Sequence, residues 1–301
     1  MVDGLFVGSS EYVSIIIPTY RDWGRLAKCL DAIAAQTYPQ HLIEVLVVNN
    51  DPDDSVPLSL SVMQGNVHVL CQERPGSYAA RNLGVIQSRG EIVAFTDSDC
   101  VPMPDWIERA VARLTNGEER IAGRVELFFR SEALTWAEIY EKAFAFNQKI
   151  SAQYGCSVTA NMVTWKKHFD TVGLFNESLL SGGDNEWGRR ASLLGIKVAY
   201  AEDVCVKHPA RHSVRDLLKK RRRQAGGNVA IEARESDKKG GGGVPKRNLL
   251  SVFSGFFRLC GRADLTMYEK VVATFLFFFF RMYLHYQKIM LKFGLSRPER
   301  C

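Results

Sequence analysis

Two runs of apolar, mostly β-branched residues mark the first fifty positions of the chain, VSIIIPTY (13–20) and IEVLVVNN (43–50). Continuous apolar runs of this length predict strands that are buried on both faces of a sheet. Between them, Leu26, Leu30 and Ile33 recur at helical spacing, and Asp22 is a candidate N-cap for that helix. The pattern therefore predicts a strand, a helix and a second strand, the unit from which parallel sheets are built.

The same alternation continues to about residue 120. NVHVLCQE and EIVAFTD predict further strands, SYAARNLGVIQSRG predicts a helix that ends at Gly90, and PDWIERAVARLTN predicts another helix. Strands that alternate with helices in this way are typical of an α/β fold. We therefore expect a doubly wound, mostly parallel sheet.

Beyond residue 120 the pattern is less regular. IAGRVELFF and KVAYAEDVCVKH predict strands, ALTWAEIYEKAFAFNQKI predicts one amphipathic helix, and GGDNEWGRRASLLG predicts a glycine-rich turn that enters a helix. The charged, glycine-rich segment ESDKKGGGGVPKR (235–247) predicts a linker. The predicted organisation is a domain over 1–234, with halves at about 10–120 and 121–234, then the linker, then C-terminal helices over 248–301.

Composition is that of an ordinary globular protein, with 46% hydrophobic residues, 24% charged residues and a net charge of +6. The positive charge is concentrated in KHPARHSVRDLLKKRRR (207–223) and near the C-terminus, which suits an anionic ligand or a membrane surface and is too local for a nucleic-acid binder. The seven cysteines form no CxxC pair, which predicts reduced thiols in a cytosolic compartment. The N-terminus lacks the pattern of a signal peptide.

Polar residues follow three of the predicted strands at their carboxyl ends. The stretches are Thr19–Tyr20, NNDPDD (49–54) and TDSDC (96–100). Each alone is typical of a turn. Doubly wound sheets bind their ligands at the carboxyl ends of strands, so the three together predict one ligand crevice. Asp97 and Asp99, two positions apart, can point the same way, and adjacent carboxylates repel each other unless a cation lies between them.

A resemblance to the family 2 glycosyltransferases, inverting enzymes with the GT-A fold, extends to about residue 227. It runs in order through VSIIIPTYRDWGRLAKCLDAIAAQTYPQHLIEVLVVNNDPDD, RPGSYAARNLGVIQSRGEIVAFTDSDCVPMPDW and TANMVTWKKHFDTVGLFNESLLSGGDNEWGRRASLLG. The resemblance implies a nucleotide-sugar donor held by Pro18, Thr19, Tyr20 and Asn50. The family has an Asp-rich turn where this chain has Asn49 and Asn50, which leaves the preferred nucleotide open.

The resemblance also implies roles for the motifs ARN and DSD. It places Arg81 and Asn82 near the nucleotide, although on the residues alone Arg81 can equally support a helix face. DSD matches the family's DxD signature, which makes Asp99 the direct ligand of Mg²⁺ or Mn²⁺ and places Asp97 and Ser98 at the nucleotide sugar. A divalent ion held by hard oxygen ligands would neutralise the departing pyrophosphate.

The stretch GGDNEW (182–187) resembles the family's acidic motif at the start of a helix. Inversion in one step needs a base on the acceptor hydroxyl. The resemblance assigns that role to Asp184, with Glu186 as the second candidate, whereas the residues alone also allow Asp184 to be a helix cap. Trp187 is either part of an acceptor platform or a core residue.

His208, in CVKHPAR, follows the last predicted strand. The resemblance implies that it reaches the metal or the diphosphate, and a lone histidine is also commonly structural. The stretch KKRRRQAGG (219–227) lies where relatives close over the diphosphate, although most of these charges can also form a solvated helix face. It lacks the Trp of the QxxRW motif of processive polymerases, which favours the transfer of a single sugar.

The C-terminal segment VVATFLFFFFRMYLHYQKIMLKF (271–293) has ten residues before Arg281, whereas a spanning helix needs about twenty apolar residues. Its lysines, arginine and tyrosines favour a helix that lies in an anionic membrane interface. The alternative is a hydrophobic helix packed on the domain or in a dimer.

Together these patterns predict an inverting, metal-dependent glycosyltransferase. It would move a sugar from a nucleotide-sugar donor to a hydroxyl of a glycan or lipid-linked acceptor, in the synthesis of a surface polysaccharide or glycolipid. We expect Mn²⁺ or Mg²⁺ as cofactor and a peripheral position at the cytoplasmic face of the cell membrane. One alternative is a GT-A-like nucleotidyltransferase. Those enzymes have a Gly-rich, Arg-containing loop after the first strand, and the corresponding stretch here, PTYRDWGR, lacks it. The other alternative is a non-catalytic membrane-associated scaffold.

Overall fold

A computed structural model describes residues 11–57, 65–237 and 259–296 of the protein. The chain divides into two compact units. The first unit is drawn from Met1–Glu126, Phe146–Ser178 and Gly183–Pro209, and the second from Leu127–Ala145, Leu179–Gly182 and Ala210–Cys301. The first contains the sheet, and the second is largely helical.

The sheet has eight strands in the spatial order β3-β2-β1-β4-β7-β6-β8-β5. Their bounds are β1 Val13–Thr19, β2 Ile43–Asn49, β3 Val67–Cys71, β4 Ile92–Phe95, β5 Val101–Pro102, β6 Arg120–Phe128, β7 Met162–Trp165 and β8 Ala199–Pro209. Strands β3, β2, β1 and β4 are parallel, which confirms the doubly wound prediction for this half. Strand β7 is antiparallel to both β4 and β6, and β5 is antiparallel to β8, so the complete sheet is mixed.

The helices alternate with the strands in the first half of the chain. Their bounds are α1 Trp23–Ala34, α2 Ser77–Gln87, α3 Trp106–Thr115, α4 Trp136–Phe144, α5 Gln148–Gln153, α6 Lys167–Val172, α7 Gly183–Leu193, α8 Val214–Asp237 and α9 Met267–Lys292. The predicted stripe of α1, Leu26, Leu30 and Ile33, is buried against β1 and β2. This packing of α1 on β1 and β2 fixes the positions at which the two strands end.

Two local predictions need correction. Helix α2 ends at Gln87, so Gly90 does not stop it. A Cβ at Gly90 would lie 2.5 Å from the carbonyl oxygen of Tyr12, and the glycine is therefore required for close approach to β1. The single helix predicted over ALTWAEIYEKAFAFNQKI is two helices, because the chain turns between them at Phe146, whose φ is +50°.

Asp22 does precede α1, but its side chain makes no capping hydrogen bond. Its carboxylate instead accepts hydrogen bonds from Arg25 and Ser98. The N-cap prediction was therefore right about where the helix begins and wrong about what the carboxylate does.

The second unit is built around α4, α8 and α9. Both α4 and α9 begin with a capping box, formed by Thr135 with Glu138 and by Thr266 with Glu269. The buried side of α9 packs against α4 and α8 through Val272, Leu276 and Phe280. The alternative that this helix packs on the rest of the protein is therefore correct for one of its faces.

Helix α8 runs to Asp237, so the first three residues of the predicted linker, 235–237, are helical. The remainder of that linker, 238–247, lies outside the described residues. In the part of the chain that the structure describes, no helix has both the length and the apolar content needed to cross a membrane.

Candidate active site

The carboxyl ends of β1, β2 and β4 meet at one edge of the sheet. Register pairs Thr19 with Asn49 and Ile16 with Phe95, so the residues that follow these strands emerge side by side. The predicted convergence of three polar stretches therefore follows from the parallel register.

A cluster of potential metal ligands lies at this edge. Asp97, Asp99, Cys100 and His208 each bring one ligand atom, and these atoms all lie within 4.8 Å of one another. His208 Nε2 is 3.6 Å from Asp99 Oδ1. The structure thus brings together Asp99 and His208, which lie more than a hundred positions apart and were each predicted to reach the metal. It adds Asp97, which was predicted at the nucleotide sugar, and Cys100, which was not predicted as a site residue.

The hydrogen bonding of His208 sets which ring nitrogen faces the cluster. Its Nδ1 lies 2.7 Å from the carbonyl oxygen of Pro209, which can only accept, so Nδ1 carries the proton. Nε2 is then the ring nitrogen that lies toward Asp99 and could ligate a cation. The ring of Phe146 packs on the imidazole, with 4.5 Å between centroids, and fixes its orientation.

The donor set fits a hard divalent cation. Burial and the nearby carboxylates of Asp97 and Asp99 raise the pKa of the Cys100 thiol well above its usual value, which disfavours the thiolate that metals bind. The two carboxylates and the imidazole remain, and these are ligand types that suit Mg²⁺ or Mn²⁺. Asp97, Asp99 and His208 could hold the ion together, and direct ligation by Asp99 and His208 stays a prediction.

Two arginines accompany the carboxylates. Arg81 Nη2 lies 2.5 Å from Asp97 Oδ1, and Arg25 Nη1 lies 3.3 Å from Asp99 Oδ2. The sequence analysis identified Arg81 but missed Arg25. A signal for it existed, because Arg25 lies in the first turn of the helix that leaves this sheet edge, three positions after Asp22.

The side-chain amide of Asn50 joins the turn after β2 to residues 72–76. Asn50 donates to the carbonyl oxygens of Gln72 and Arg74 and accepts from the N–H of Gly76. The nucleotide contact predicted for Asn50 stays a prediction, while these bonds give its side chain a role in shaping the loop. Of the three acids in this turn, Asp51 is buried and accepts a hydrogen bond from Arg21 at 2.5 Å.

Asn82 is similarly engaged inside the protein. Its amide donates to the carbonyl oxygen of Phe175 and to Glu177, and it accepts from the N–H of Phe175. The side chain is 1% exposed. A direct nucleotide contact of Asn82 also stays a prediction, and the structure shows this residue tying α2 to the 175–177 loop.

Asp184 lies in the first turn of α7, which begins at Gly183, so it is not the residue that precedes the helix. Its Oδ1 accepts a hydrogen bond from the Tyr78 hydroxyl at 3.1 Å and from the N–H of Asn185 at 2.9 Å. Both donors are neutral. Burial of the carboxyl group raises its pKa above the ordinary value of an aspartate, as a proton-accepting group at neutral pH requires.

Tyr78 was not identified from the sequence. A Cβ on Gly183 would lie 2.8 Å from the Tyr78 ring, so the glycine allows the close approach that brings the hydroxyl to Asp184. The guanidinium of Arg81 lies 5.7 Å from the centroid of the same ring. Tyr78 therefore contacts both Arg81, which binds Asp97, and Asp184, the candidate base.

Glu186, the second candidate base, is already paired. Its carboxylate accepts two hydrogen bonds from Arg190, at 2.8 and 3.1 Å. Trp187 is fully buried, stacks on Phe169 and donates to the carbonyl oxygen of Gly173, so it is a core residue and no acceptor platform. Of the acids in GGDNEW, Asp184 has the surroundings of a base.

The basic stretch 219–227 belongs to the second unit. Lys220 binds Glu141, Arg221 binds the Tyr140 hydroxyl, and Arg222 donates to the hydroxyl of Tyr283. Several of these charges thus have structural partners in their own unit. The predicted closure over the diphosphate stays a prediction.

Comparison with known proteins is consistent across sequence and structure. The model of the family Glycosyl transferase family 2 matches residues 14–170. The chain is 37% identical to the glycosyltransferase AglE of Haloferax volcanii over 226 residues, which cover 73% of this chain and 74% of AglE. It is 20% identical over 225 residues to the dolichyl N-acetyl-alpha-D-glucosaminyl phosphate 3-beta-D-2,3-diacetamido-2,3-dideoxy-beta-D-glucuronosyltransferase of Methanococcus voltae, covering 69% and 70% of the two chains.

Among solved structures, the mannosyltransferase PcManGT from Pyrobaculum calidifontis, in complex with GDP-Man and Mn²⁺, matches with a TM-score of 0.60 at 18% identity. The match covers 93% of this chain and 86% of that one, and it confirms the predicted GT-A fold. The order of the strands, the acidic cluster at their carboxyl edge and the similarity over most of the chain agree: the protein is a glycosyltransferase and belongs to glycosyl transferase family 2.

Proposed function

We propose that the protein is an inverting, metal-dependent glycosyltransferase that transfers a single sugar from a nucleotide-sugar donor to a hydroxyl of a lipid-linked glycan. One observation carries the proposal. Asp97 pairs with Arg81, Arg81 lies over the ring of Tyr78, and Tyr78 donates a hydrogen bond to Asp184. A metal-binding cluster and a candidate base are thereby joined by three successive contacts within one unit.

The donor end of the site is suited to a nucleoside diphosphate sugar. Asp99 and His208 would hold a divalent ion, which, when bound, offsets the charge of the diphosphate leaving group. Arg25 and Arg81 lie beside the two carboxylates and can bind phosphate oxygens once the donor enters. PcManGT, which shares the fold, binds GDP-Man and Mn²⁺.

The acceptor end is suited to removing a proton. An acceptor hydroxyl that displaces the diphosphate directly attacks from the opposite face of the sugar, which inverts the anomeric carbon. Asp184 would accept the hydroxyl proton as the new bond forms, because its raised pKa keeps it a stronger base than an exposed aspartate. Glu186 is less suited, since its ion pair with Arg190 stabilises the carboxylate.

A lipid-linked acceptor is supported by the relatives. The Methanococcus voltae enzyme acts, by its name, on a dolichyl-linked sugar phosphate. The six described cysteines at 29, 71, 100, 156, 205 and 260 are free thiols, which is typical of a protein in a reducing cytosol. We therefore propose that the enzyme works at the cytoplasmic face of a membrane, on an acceptor anchored in it.

The test is donor turnover. The protein is incubated with UDP-, GDP- and dTDP-sugars and Mn²⁺, without acceptor, and release of the nucleoside diphosphate is measured. We expect slow hydrolysis of one donor class, loss of that hydrolysis in EDTA, and recovery on adding Mn²⁺. A thermal-shift screen of the same donors supports the assignment, because a ligand that binds the folded state raises the melting temperature. Absence of binding and turnover with every donor would refute the proposal.

A further inference from the structure

Helix α9 has one face in the core of its unit and one face in solvent. Val272, Ala273, Leu276 and Phe280 are buried against the neighbouring helices. The opposite side carries large apolar residues that remain between 40% and 68% exposed. They are Val271, Phe275, Phe278, Met282, Tyr286 and Ile289.

The spacing of these residues makes a continuous stripe. From Val271 to Ile289 there are 18 residues in five steps, or 3.6 residues per step, which is the period of an α-helix. A repeat at this period stays on one side of a straight helix, so the stripe runs about 27 Å along α9. We call this set the exposed stripe. Isolated surface hydrophobics are ordinary, whereas a contiguous patch of this size marks an interaction surface.

Cations border the exposed stripe on one side only. At 100° per residue, Lys270, Arg281, Lys288 and Lys292 all project to the same side of it. Two of them, Lys288 and Lys292, share the single carboxylate of Glu232, so the border keeps a positive excess. The one acidic residue of α9, Glu269, lies on the buried side and binds Lys142.

Aromatic residues continue the surface at the start of the helix. Trp136 is half-exposed, donates a hydrogen bond to the Tyr268 hydroxyl and lies 6.2 Å from Phe275 between ring centroids. Trp and Tyr concentrate where proteins meet the boundary between lipid headgroups and acyl chains. Trp136 of α4 thus extends the exposed apolar and aromatic surface of α9.

We propose that the exposed stripe is a docking surface for an anionic lipid bilayer. The apolar side chains would enter the boundary between headgroups and acyl chains, while the cationic border would lie against lipid phosphates. A second copy of the chain fits less well, because stripe-to-stripe contact would bring no carboxylate of α9 to the cations. The inference names the partner of the helical unit and rests on the proposed function only for the membrane in which the acceptor lies.

The experiment is flotation of the full-length protein with vesicles of phosphatidylcholine alone or with phosphatidylglycerol added. We expect flotation with the anionic vesicles and its loss at high salt. A double variant, Phe275→Glu with Met282→Glu, should reduce the bound fraction at least tenfold. Arg281→Gln should reduce affinity about fivefold, the equivalent of ~1 kcal/mol per cation near an anionic surface. Leu193→Glu, at an apolar and still more exposed position on the other unit, should float as the wild type does.

Two readouts keep the outcomes apart. Donor hydrolysis and melting temperature should be unchanged in the Phe275→Glu, Met282→Glu variant, so its failure to float cannot be blamed on unfolding. Wild-type protein that stays unbound on anionic vesicles would overturn the inference. So would a dimer in analytical ultracentrifugation that the double variant abolishes, because the stripe would then be covered by a second copy. Either result would leave donor turnover, and with it the proposed function, standing.

Discussion

Two carboxylates, that of buried Glu141 in one unit and that of partly buried Asp184 in the other, have opposite surroundings. Glu141 in the helical unit accepts hydrogen bonds from the backbone and guanidinium of Arg211 and from Lys220, at 2.9, 3.0 and 2.9 Å. Asp184 in the sheet-containing unit accepts hydrogen bonds from neutral groups, the Tyr78 hydroxyl and its neighbouring N–H. Burial alone would raise the pKa of both. The contacting cations lower the pKa of Glu141 to about 2, while that of Asp184 stays raised.

The difference separates a structural carboxylate from a reactive one. A carboxylate held by two cations is a permanent anion, and it stabilises the fold as long as its partners stay. A carboxylate whose hydrogen-bond donors are neutral and whose pKa is raised by burial accepts a proton more readily than an exposed one. Asp97 and Asp99 are intermediate, since each has one arginine partner and stays partly open to solvent.

The largest effect should come from removing the carboxylate that we assign to the metal. Asp99→Ala should abolish the part of donor binding that depends on Mn²⁺, because one carboxylate, already paired with Arg81, and one imidazole are too few ligands to hold a hard cation. The measurement is the donor-induced thermal shift with and without EDTA. Asp203→Ala is the control, since Asp203 is a partly exposed acid of the same unit that pairs with Arg113 outside the cluster. Equal metal-dependent shifts in both variants would contradict the assignment.

The next effect tests Asp184 as the base. Asp184→Asn keeps the size and the hydrogen-bonding oxygen of the side chain but removes its ability to take a proton. Donor binding should stay, and transfer to an acceptor should fall by roughly 10²–10⁴-fold, the usual contribution of general base catalysis. Glu186→Gln is the matched comparison and should lose far less. The reverse result would move the base to Glu186.

Glu141→Gln tests the structural side of the comparison. It leaves Arg211 and Lys220 enclosed without their anion, which should lower the free energy of unfolding by about 3–5 kcal/mol. Glu126→Gln, at an exposed pair with Arg124, should cost under about 1 kcal/mol. Denaturant unfolding at pH 7 measures both.

The pH dependence of the same variant follows from the pKa shifts. The carboxylate of Glu141 has a pKa of about 2 in the fold and an ordinary value when unfolded, so its stabilisation is present above the unfolded pKa. It is lost as the pH falls from about 4.5 toward 2, and the wild type should converge on Glu141→Gln over that range. A stability difference that is constant down to pH 2 would show that the ion pair contributes nothing.

Sequence patterns predicted the strands, the strand-end motifs and the order of the helices, because runs and periods are local signals. The same patterns could not tell how polar residues at the sheet edge are used. Asn82 is bound to Phe175, 93 residues away, and the hydrogen bond between Tyr78 and Asp184 spans 106 residues. The break at Phe146 was missed for a related reason, since its ring is held against His208 on a distant strand.

Tyr78→Phe should have the smallest effect on activity, and it tests directly whether the pKa of Asp184 sets the pH dependence of the reaction. The variant keeps the ring that packs against Phe175 and removes only the hydroxyl, whose hydrogen bond stabilises the charged form of Asp184. A net hydrogen bond is worth about 0.5–1.5 kcal/mol, and because this one lowers the pKa of Asp184, its loss raises that pKa further. Asp184 is active when deprotonated, so the acidic limb of the kcat/KM profile should move to higher pH, and the plateau should change little. Tyr154→Phe, at an exposed tyrosine of the same unit, should leave the profile unchanged. An acidic limb that does not move would mean that the Tyr78 hydroxyl does not act on the group that titrates, and that the proton acceptor is a group other than Asp184.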